Sequence, residues 1–176
     1  MPILSEATAS AIQQGEVLFR PLERGDYYRG YFDLLAQLTV APPTTEAVFA
    51  QFVESSASRG SLTLVAVLDD CIVASATLLV EPKLIRGGSS VAHIEDVVVD
   101  KRCGGRGLGQ SMVERLCAEA TKRGCYKVIL DTSEETAGFY AKKCGFYKKE
   151  IQMRRDLVVP QGKLTESFVG QVTQKL

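Results

Sequence analysis

A single histidine, His93, stands in a chain of 176 residues. One imidazole cannot build a His-based metal site or a repeated histidine relay, so no metal is expected. Neither sign of charge is in excess: Lys+Arg and Asp+Glu are both 21, a formal net charge of zero. No global field then draws DNA, RNA or an anionic membrane, although a local basic site for one phosphorylated ligand stays open. No apolar run approaches the length of a membrane span. Met1 to Gln14 lack a basic region and a long apolar segment, and do not read as a secretory signal. The cysteines (Cys71, Cys103, Cys117, Cys125 and Cys144) are odd in number and contain no C-x-x-C pair. That speaks against a disulfide framework and for reduced thiols in an intracellular, cytoplasmic setting. The ending Gln174-Lys175-Leu176 is similar to a peroxisomal Ser-Lys-Leu but carries Gln first; an ordinary polar tail is the other reading.

What is present is an ordinary globular composition, 45% hydrophobic and 24% charged, enough for one domain with one sizeable core. Residues 1–15 read as a flexible arm, 16–157 as the single domain and 158–176 as an extension. Val17 to Arg20 is a short strand stopped by Pro21. Asp26 can cap a helix running to about Leu38. After Pro42-Pro43, Thr44 or Thr45 caps a second helix with Val48, Phe49, Phe52 and Val53 on one side. Leu62–Leu68 and Ile72–Val80 are β-rich runs on either side of Asp69-Asp70, a hairpin signal. After a loop over Pro82–Ser90, Val91–Val99 is a long strand whose end, Val97-Val98-Val99, has no alternation; such a run belongs in the middle of a sheet.

Leu108, Met112, Leu116 and Ala120 repeat every four residues, an amphipathic helix closed by Gly124. Lys127–Asp131 is a strand, Ser133 caps a helix carrying Phe139-Tyr140, Gly145 stops it, and a last strand is expected near Phe146–Arg154. The order is strand, two helices, three strands, helix, strand, helix, strand: a mixed α/β sheet with helices packed on it.

Between Val99 and Leu108 lies Gly104-Gly105-Arg106-Gly107-Leu108-Gly109, a glycine-rich loop between a strand and a helix. Free N–H groups at a helix start, with the helix dipole behind them, suit a phosphate, and glycines let the backbone approach it. No Gly-Lys-Ser/Thr follows, which excludes a Walker A loop, and the glycine spacing is not that of a dinucleotide fingerprint. A plain tight turn before a helix is the alternative.

Around this loop stand His93-Ile94-Glu95-Asp96-Val97-Val98-Val99, then Gly124-Cys125-Tyr126-Lys127, Leu130-Asp131, Gly138-Phe139-Tyr140 and Cys144-Gly145-Phe146. In this order and spacing the series resembles the glucosamine-6-phosphate N-acetyltransferases of the GNAT superfamily, over roughly residues 17–156. The resemblance implies the GNAT acyl-CoA N-acyltransferase fold, a central, mixed, mostly antiparallel sheet flanked by helices, and a homodimer. It implies acetyl transfer from acetyl-CoA to the amine of glucosamine 6-phosphate, within UDP-N-acetylglucosamine biosynthesis.

The resemblance also implies roles. Glu95, Asp96 and Asp131 line the amino-sugar site together with Thr39, beside Leu38. Lys83 of Glu81-Pro82-Lys83 meets the sugar phosphate, and Arg154-Arg155 reach a neighbouring subunit's substrate. Val97, Val98 and Val99 pair with the pantetheine arm. Gly104, Gly105, Arg106, Gly107, Leu108, Gly109 and Gln110 hold the pyrophosphate, and Tyr140 stands beside the coenzyme sulfur. Two positions depart from the pattern: Gly104 stands where Arg or Gln is usual, with Arg102 or Arg106 as a substitute, and Thr136 stands where Asn is common.

The chemistry is consistent with those residue types. The amine itself attacks, so the lack of a Ser-His or Cys-His pair is no objection. Glu95, Asp96 and Asp131 can orient the ammonium and take its proton directly or through water. Backbone N–H groups near Val97 are candidate donors to the developing oxyanion. A tyrosine of pKa about 10 giving its proton to a thiolate of about 8.5 would cost on the order of 2 kcal/mol, so Tyr140 is expected chiefly to donate a hydrogen bond. Other readings remain open at this point: acetylation of another small amine or of a protein amine, or a non-catalytic acyl-CoA-binding role.

Overall fold

The computed structural model describes residues 15–157. The N-terminal arm up to residue 14, the extension over 158–176 and the Gln174–Leu176 ending lie outside the described residues. Five strands form one sheet in chain order, β1 (Leu18–Pro21), β2 (Ser61–Leu68), β3 (Cys71–Pro82), β4 (Ser90–Val99) and β5 (Cys125–Ile129). All neighbours are antiparallel except β4 and β5, which run parallel. A parallel pair needs a crossover, and helix α3 (Leu108–Lys122) supplies it. The other helices are α1 (Tyr31–Leu35), α2 (Glu46–Ser55) and α4 (Glu134–Cys144).

The sheet is covered on both faces. On one face Leu64, Ala66, Ala74, Ala76, Leu78, Ala92 and Ile94 meet the apolar stripe of α3, where Met112, Val113, Leu116 and Ala120 are buried. The four-residue repeat puts these side chains on one stripe, and full burial of a Leu or Met is worth about 1.5–3 kcal/mol each. On the other face Val65, Val67, Ile72 and Val98 pack under Tyr31, Leu34 and Phe49 of α1 and α2. Thr45 caps α2, its hydroxyl accepting the Val48 N–H at 3.4 Å. Gly124 (φ 73°) and Gly145 (φ 73°) end α3 and α4 in the left-handed region, where a Cβ would be strained.

Three expectations are corrected. The helix from Asp26 to Leu38 is broken: a 3₁₀ turn covers Arg24–Tyr28, Gly30 turns left-handed at φ 77°, and α1 begins only at Tyr31. Asp26 sits inside that turn rather than at a helix cap. It is fully buried, accepting from Arg20 twice at 2.7 Å, from the Glu23 N–H at 2.8 Å and from Arg29 at 3.3 Å. Burial alone would raise its pKa; the Arg20, Glu23 and Arg29 bonds outweigh it and hold the carboxyl below its ordinary value.

β5 starts two residues earlier than expected, so Leu130 and Asp131 lie beyond the ladder. The terminal strand over 146–154 does not form: the segment has no ladder partner among the described residues, and Tyr147, Ile151 and Met153 are 77%, 91% and 93% exposed. A strand is stable only against a neighbour, which apolar pattern alone cannot supply.

Candidate active site

The site is built on an irregularity in β4. Thr77 of β3 faces Glu95, yet the next matched pair is Ser75 with Val98. Two steps on β3 answer three on β4, so β4 carries one extra residue, a bulge at Asp96-Val97. Asp96 takes a left-handed φ of 52°, which aspartate tolerates better than most side chains. Such a bulge bends the strand and re-aims its side chains.

On the other side of β4 the ladder with β5 stops at His93–Ile129. Past that pair the two strands part, and a cavity of about 440 Å³ opens between them. Ile94, Glu95, Asp96 and Val97 line one wall; Leu130, Asp131, Thr132, Ser133, Thr136 and Tyr140 line the other; Leu38 and Thr39 close one side. The Gln37 side chain accepts the Lys101 N–H at 3.0 Å, tying the chain just before Leu38-Thr39 to the loop after β4.

The electrostatics suit an amine. Burial first, then the charges of Asp131 and Asp96, raise the Glu95 carboxyl above its ordinary value. Asp131 is steadied by the Gln152 amide at 2.7 Å. Burial raises the Tyr140 phenol, followed by the influence of Cys144, so the hydroxyl keeps its proton at neutral pH and can donate. Phe139 and Phe146 set the Tyr140 ring edge-to-face, at 5.1 and 6.2 Å between centroids. Thr136, in the position expected to hold an amide, bonds to the Thr132 hydroxyl at 2.6 Å and the Ser133 hydroxyl at 3.1 Å.

The glycine loop follows β4 directly. Gly105 (φ 80°) and Gly107 (φ 72°) are left-handed, and no atom lies within 4 Å of where a Cβ would stand on either. Gly107 precedes α3, whose first intrahelical bond runs from the Ser111 N–H to the Gly107 carbonyl. The N–H groups of Leu108, Gly109 and Gln110 therefore precede the ladder and stand at the positive end of the helix dipole. Gly109 is fixed by packing: a Cβ there would come within 3.3 Å of Phe139. Arg102 folds back onto the buried Asp100, at 2.6 and 3.0 Å, and Arg106 donates to the Gly15 carbonyl at 3.1 Å. Val97 and Val99 are partly buried and Val98 packs on the α1–α2 side.

The expected phosphate cations are not gathered here. Lys83 pairs with Glu81, which also approaches His93 at 3.4 Å. Arg154 pairs with Asp156 at 2.6 Å on the exposed terminal segment, and Arg155 is exposed there too. A second cavity, of about 490 Å³, also reaches Glu95 and Asp96 but is lined by Phe52, Arg59, Ser61, Thr77 and Leu79. Sequence reading missed these residues. Ser61 and Thr77 look like ordinary strand positions, and only the sheet register puts them beside Glu95.

A left-handed bulge, a splayed parallel pair and a glycine loop at the start of the crossover helix define an acyltransferase site. The sequence pattern described as Acetyltransferase (GNAT) family matches residues 26–146, and the chain belongs to that family. Glucosamine 6-phosphate N-acetyltransferase 1 of Oryza sativa subsp. japonica is 45% identical over 158 residues, 87% of this chain and 95% of that protein. Glucosamine 6-phosphate N-acetyltransferase of Trypanosoma brucei brucei is 44% identical over 140 residues, 78% of this chain and 94% of that protein. The crystal structure of glucosamine-6-phosphate N-acetyltransferase from Arabidopsis thaliana superposes with a TM-score of 0.77 at 37% identity, covering 81% of this chain and 99% of that one.

Proposed function

We propose that this protein transfers the acetyl group of acetyl-CoA to the amine of glucosamine 6-phosphate. The observation that carries the reading is the meeting of three carboxylates, Glu95, Asp96 and Asp131, with Tyr140 around one splayed strand edge. The relatives at 44 and 45% identity, which this chain nearly spans, support the acceptor.

Acetyl-CoA supplies the activated acyl group. The chain's residues do the rest. Glu95 and Asp131 draw in the acceptor's ammonium; Glu95, its carboxyl raised by burial and by the charges of Asp131 and Asp96, takes a proton and leaves the amine able to attack. The C–N bond forms as the C–S bond breaks. Backbone N–H groups of β4 near Val97 donate to the carbonyl oxygen as charge grows on it, and Tyr140 donates to the departing sulfur. Leu108, Gly109 and Gln110 offer their N–H groups to the pyrophosphate, with Gly104, Gly105, Arg106 and Gly107 shaping the approach.

The working form is a homodimer. Its support is the row of exposed apolar residues Tyr147, Ile151 and Met153 on a segment of strand-like sequence with no ladder partner among the described residues. Pairing with a second copy would cover them and carry Arg154 and Arg155 to the neighbouring acceptor. Incubation with acetyl-CoA and glucosamine 6-phosphate tests the reading: it predicts one thiol released per N-acetylated sugar phosphate found by mass spectrometry, and thiol release without that product would refute it.

A further inference from the structure

We infer that the buried hydroxyls of Ser75 and Tyr31 are positioning groups for the acetyl transfer proposed above, a reading on which the inference rests: with a peptide group of the β4 bulge they hold one water molecule, and that water fixes the bulge that aims Asp96 and the Val97 N–H. The first ground is an orphaned polar atom. Ser75 is 1% exposed, and its Oγ has no hydrogen-bond partner among the described residues. A buried hydroxyl left without a partner is costly, and a bound water is the common remedy.

The second ground is place. Ser75 stands at the edge of the break in the β3–β4 ladder, matched with Val98, while Thr77 is matched with Glu95. The extra residue of the bulge leaves a β4 peptide group without its ladder partner there. Residues directly opposite one another in a sheet share a face. The two partners of Ser75, Val65 on β2 and Val98 on β4, lie in the cluster under α1 and α2, together with Tyr31. The Ser75 hydroxyl therefore points beneath α1, level with the bulge. Tyr31 registers both neighbours: burial raises its phenol first, the Ser75 hydroxyl draws it part of the way back, and the charges of Asp96 and Asp26 raise it. Yet no direct bond joins the two hydroxyls, since Ser75 Oγ has no partner. Two hydroxyls and an unpaired peptide converge on one point, and three partners are the usual number for a buried water.

The third ground is need. Asp96 holds a left-handed φ of 52°, a conformation that persists only where the surroundings enforce it. Its own side chain is exposed and lines both cavities, so packing of that side chain does not hold it. The hold has to come from the backbone and from what lies beneath it. Ser75 and Tyr31 line neither of the two cavities, so they act on the reaction through the bulge and not by touching a substrate.

The test joins a crystal structure of the protein to kinetics and thermal melts of Ser75→Ala, Tyr31→Phe and the double variant. Density should place one water within about 3.2 Å of both Ser75 Oγ and Tyr31 Oη. A direct bond between the two hydroxyls, with no water, would overturn the inference. Each single variant should lower kcat roughly threefold to tenfold with KM for both substrates within about twofold, because a donor to the transition state moves while the ground-state contacts stay. Both variants remove a partner of the same water, so the double variant should lose no more than about the larger single loss; losses that multiply would mark two unconnected structural effects. The Tm separates a bonded hydroxyl from an idle one. Ser75→Ala should lower it by about 2–4 °C, whereas a rise would show that the hydroxyl had no partner to lose, and would overturn the inference. An unchanged kcat in both single variants would overturn it as well. Wild type that acetylates no amino-sugar phosphate, with the water present and the Tm lowered, would overturn the proposed function and leave the hydrogen-bonded arrangement standing.

Discussion

Glu95 is the Cα partner of Thr77, and β4 is not matched again until Val98 meets Ser75. That break sets Glu95 and Asp96 at the junction of two cavities. Burial and the charges of Asp131 and Asp96 raise Glu95 above its ordinary 4.5. A base works in its ionised form, so activity should rise with pH through that raised pKa. The acid limb of kcat/KM is therefore expected above pH 4.5, and Asp131→Asn, which removes one like charge, should move it down. Glu95→Gln should lower kcat about a hundredfold or more. A pH–rate profile of the three proteins checks this.

Tyr140 keeps its proton because its ring is buried. If it donates to the leaving sulfur, the bond matters most as C–S cleavage proceeds. Tyr140→Phe should then lower kcat about tenfold or more while KM for either substrate changes little. Steady-state kinetics decide it: an unchanged kcat removes this role.

Asp26, fully buried, and Arg20 form an ion pair with two bonds of 2.7 Å. Asp26→Asn leaves Arg20 without its carboxylate and should cost about 3 kcal/mol at pH 7. The folded pKa of Asp26 lies below the unfolded value. Its stabilising share is thus full above the unfolded pKa of about 3.9 and is lost as pH falls through the folded one. Urea melts should show the gap between wild type and Asp26→Asn narrowing as the pH falls below that value.

Ile151 and Met153 are over nine-tenths exposed. Ile151→Glu with Met153→Glu should cost the fold of one chain little, since surface changes stay within about 0.5 kcal/mol. If these residues pair two copies, light scattering should give twice the 19.2 kDa chain mass for wild type and the single mass for the double variant. Activity should fall with the dimer.

Much of this was legible in the residues. The four-residue repeat of Leu108, Met112, Leu116 and Ala120 marked the crossover helix, and Val97-Val98-Val99 marked a central strand. Asp26 was misread because a capping residue and a residue bonding back within a 3₁₀ turn share one local pattern; Gly30's left-handed turn, at φ 77°, decides between them. The segment over 146–154 has the composition of a strand but no neighbouring strand among the described residues, and pairing is a property of the whole assembly. The second cavity was invisible because Arg59, Ser61, Thr77 and Glu95 are far apart in the chain and meet only through the register of β2, β3 and β4. The first cavity was easier: its residues sit in runs, Glu95-Asp96-Val97 and Leu130 to Tyr140, whose order carried the resemblance.

The most direct test of the central claim is thiol release from acetyl-CoA with glucosamine 6-phosphate, glucosamine 1-phosphate and glucosamine side by side. The account predicts strong preference for the 6-phosphate, because the amine at Glu95 and a phosphate within about 9 Å of it must be satisfied at once. Equal rates on all three sugars, or none on any while acetyl-CoA still binds, would contradict it.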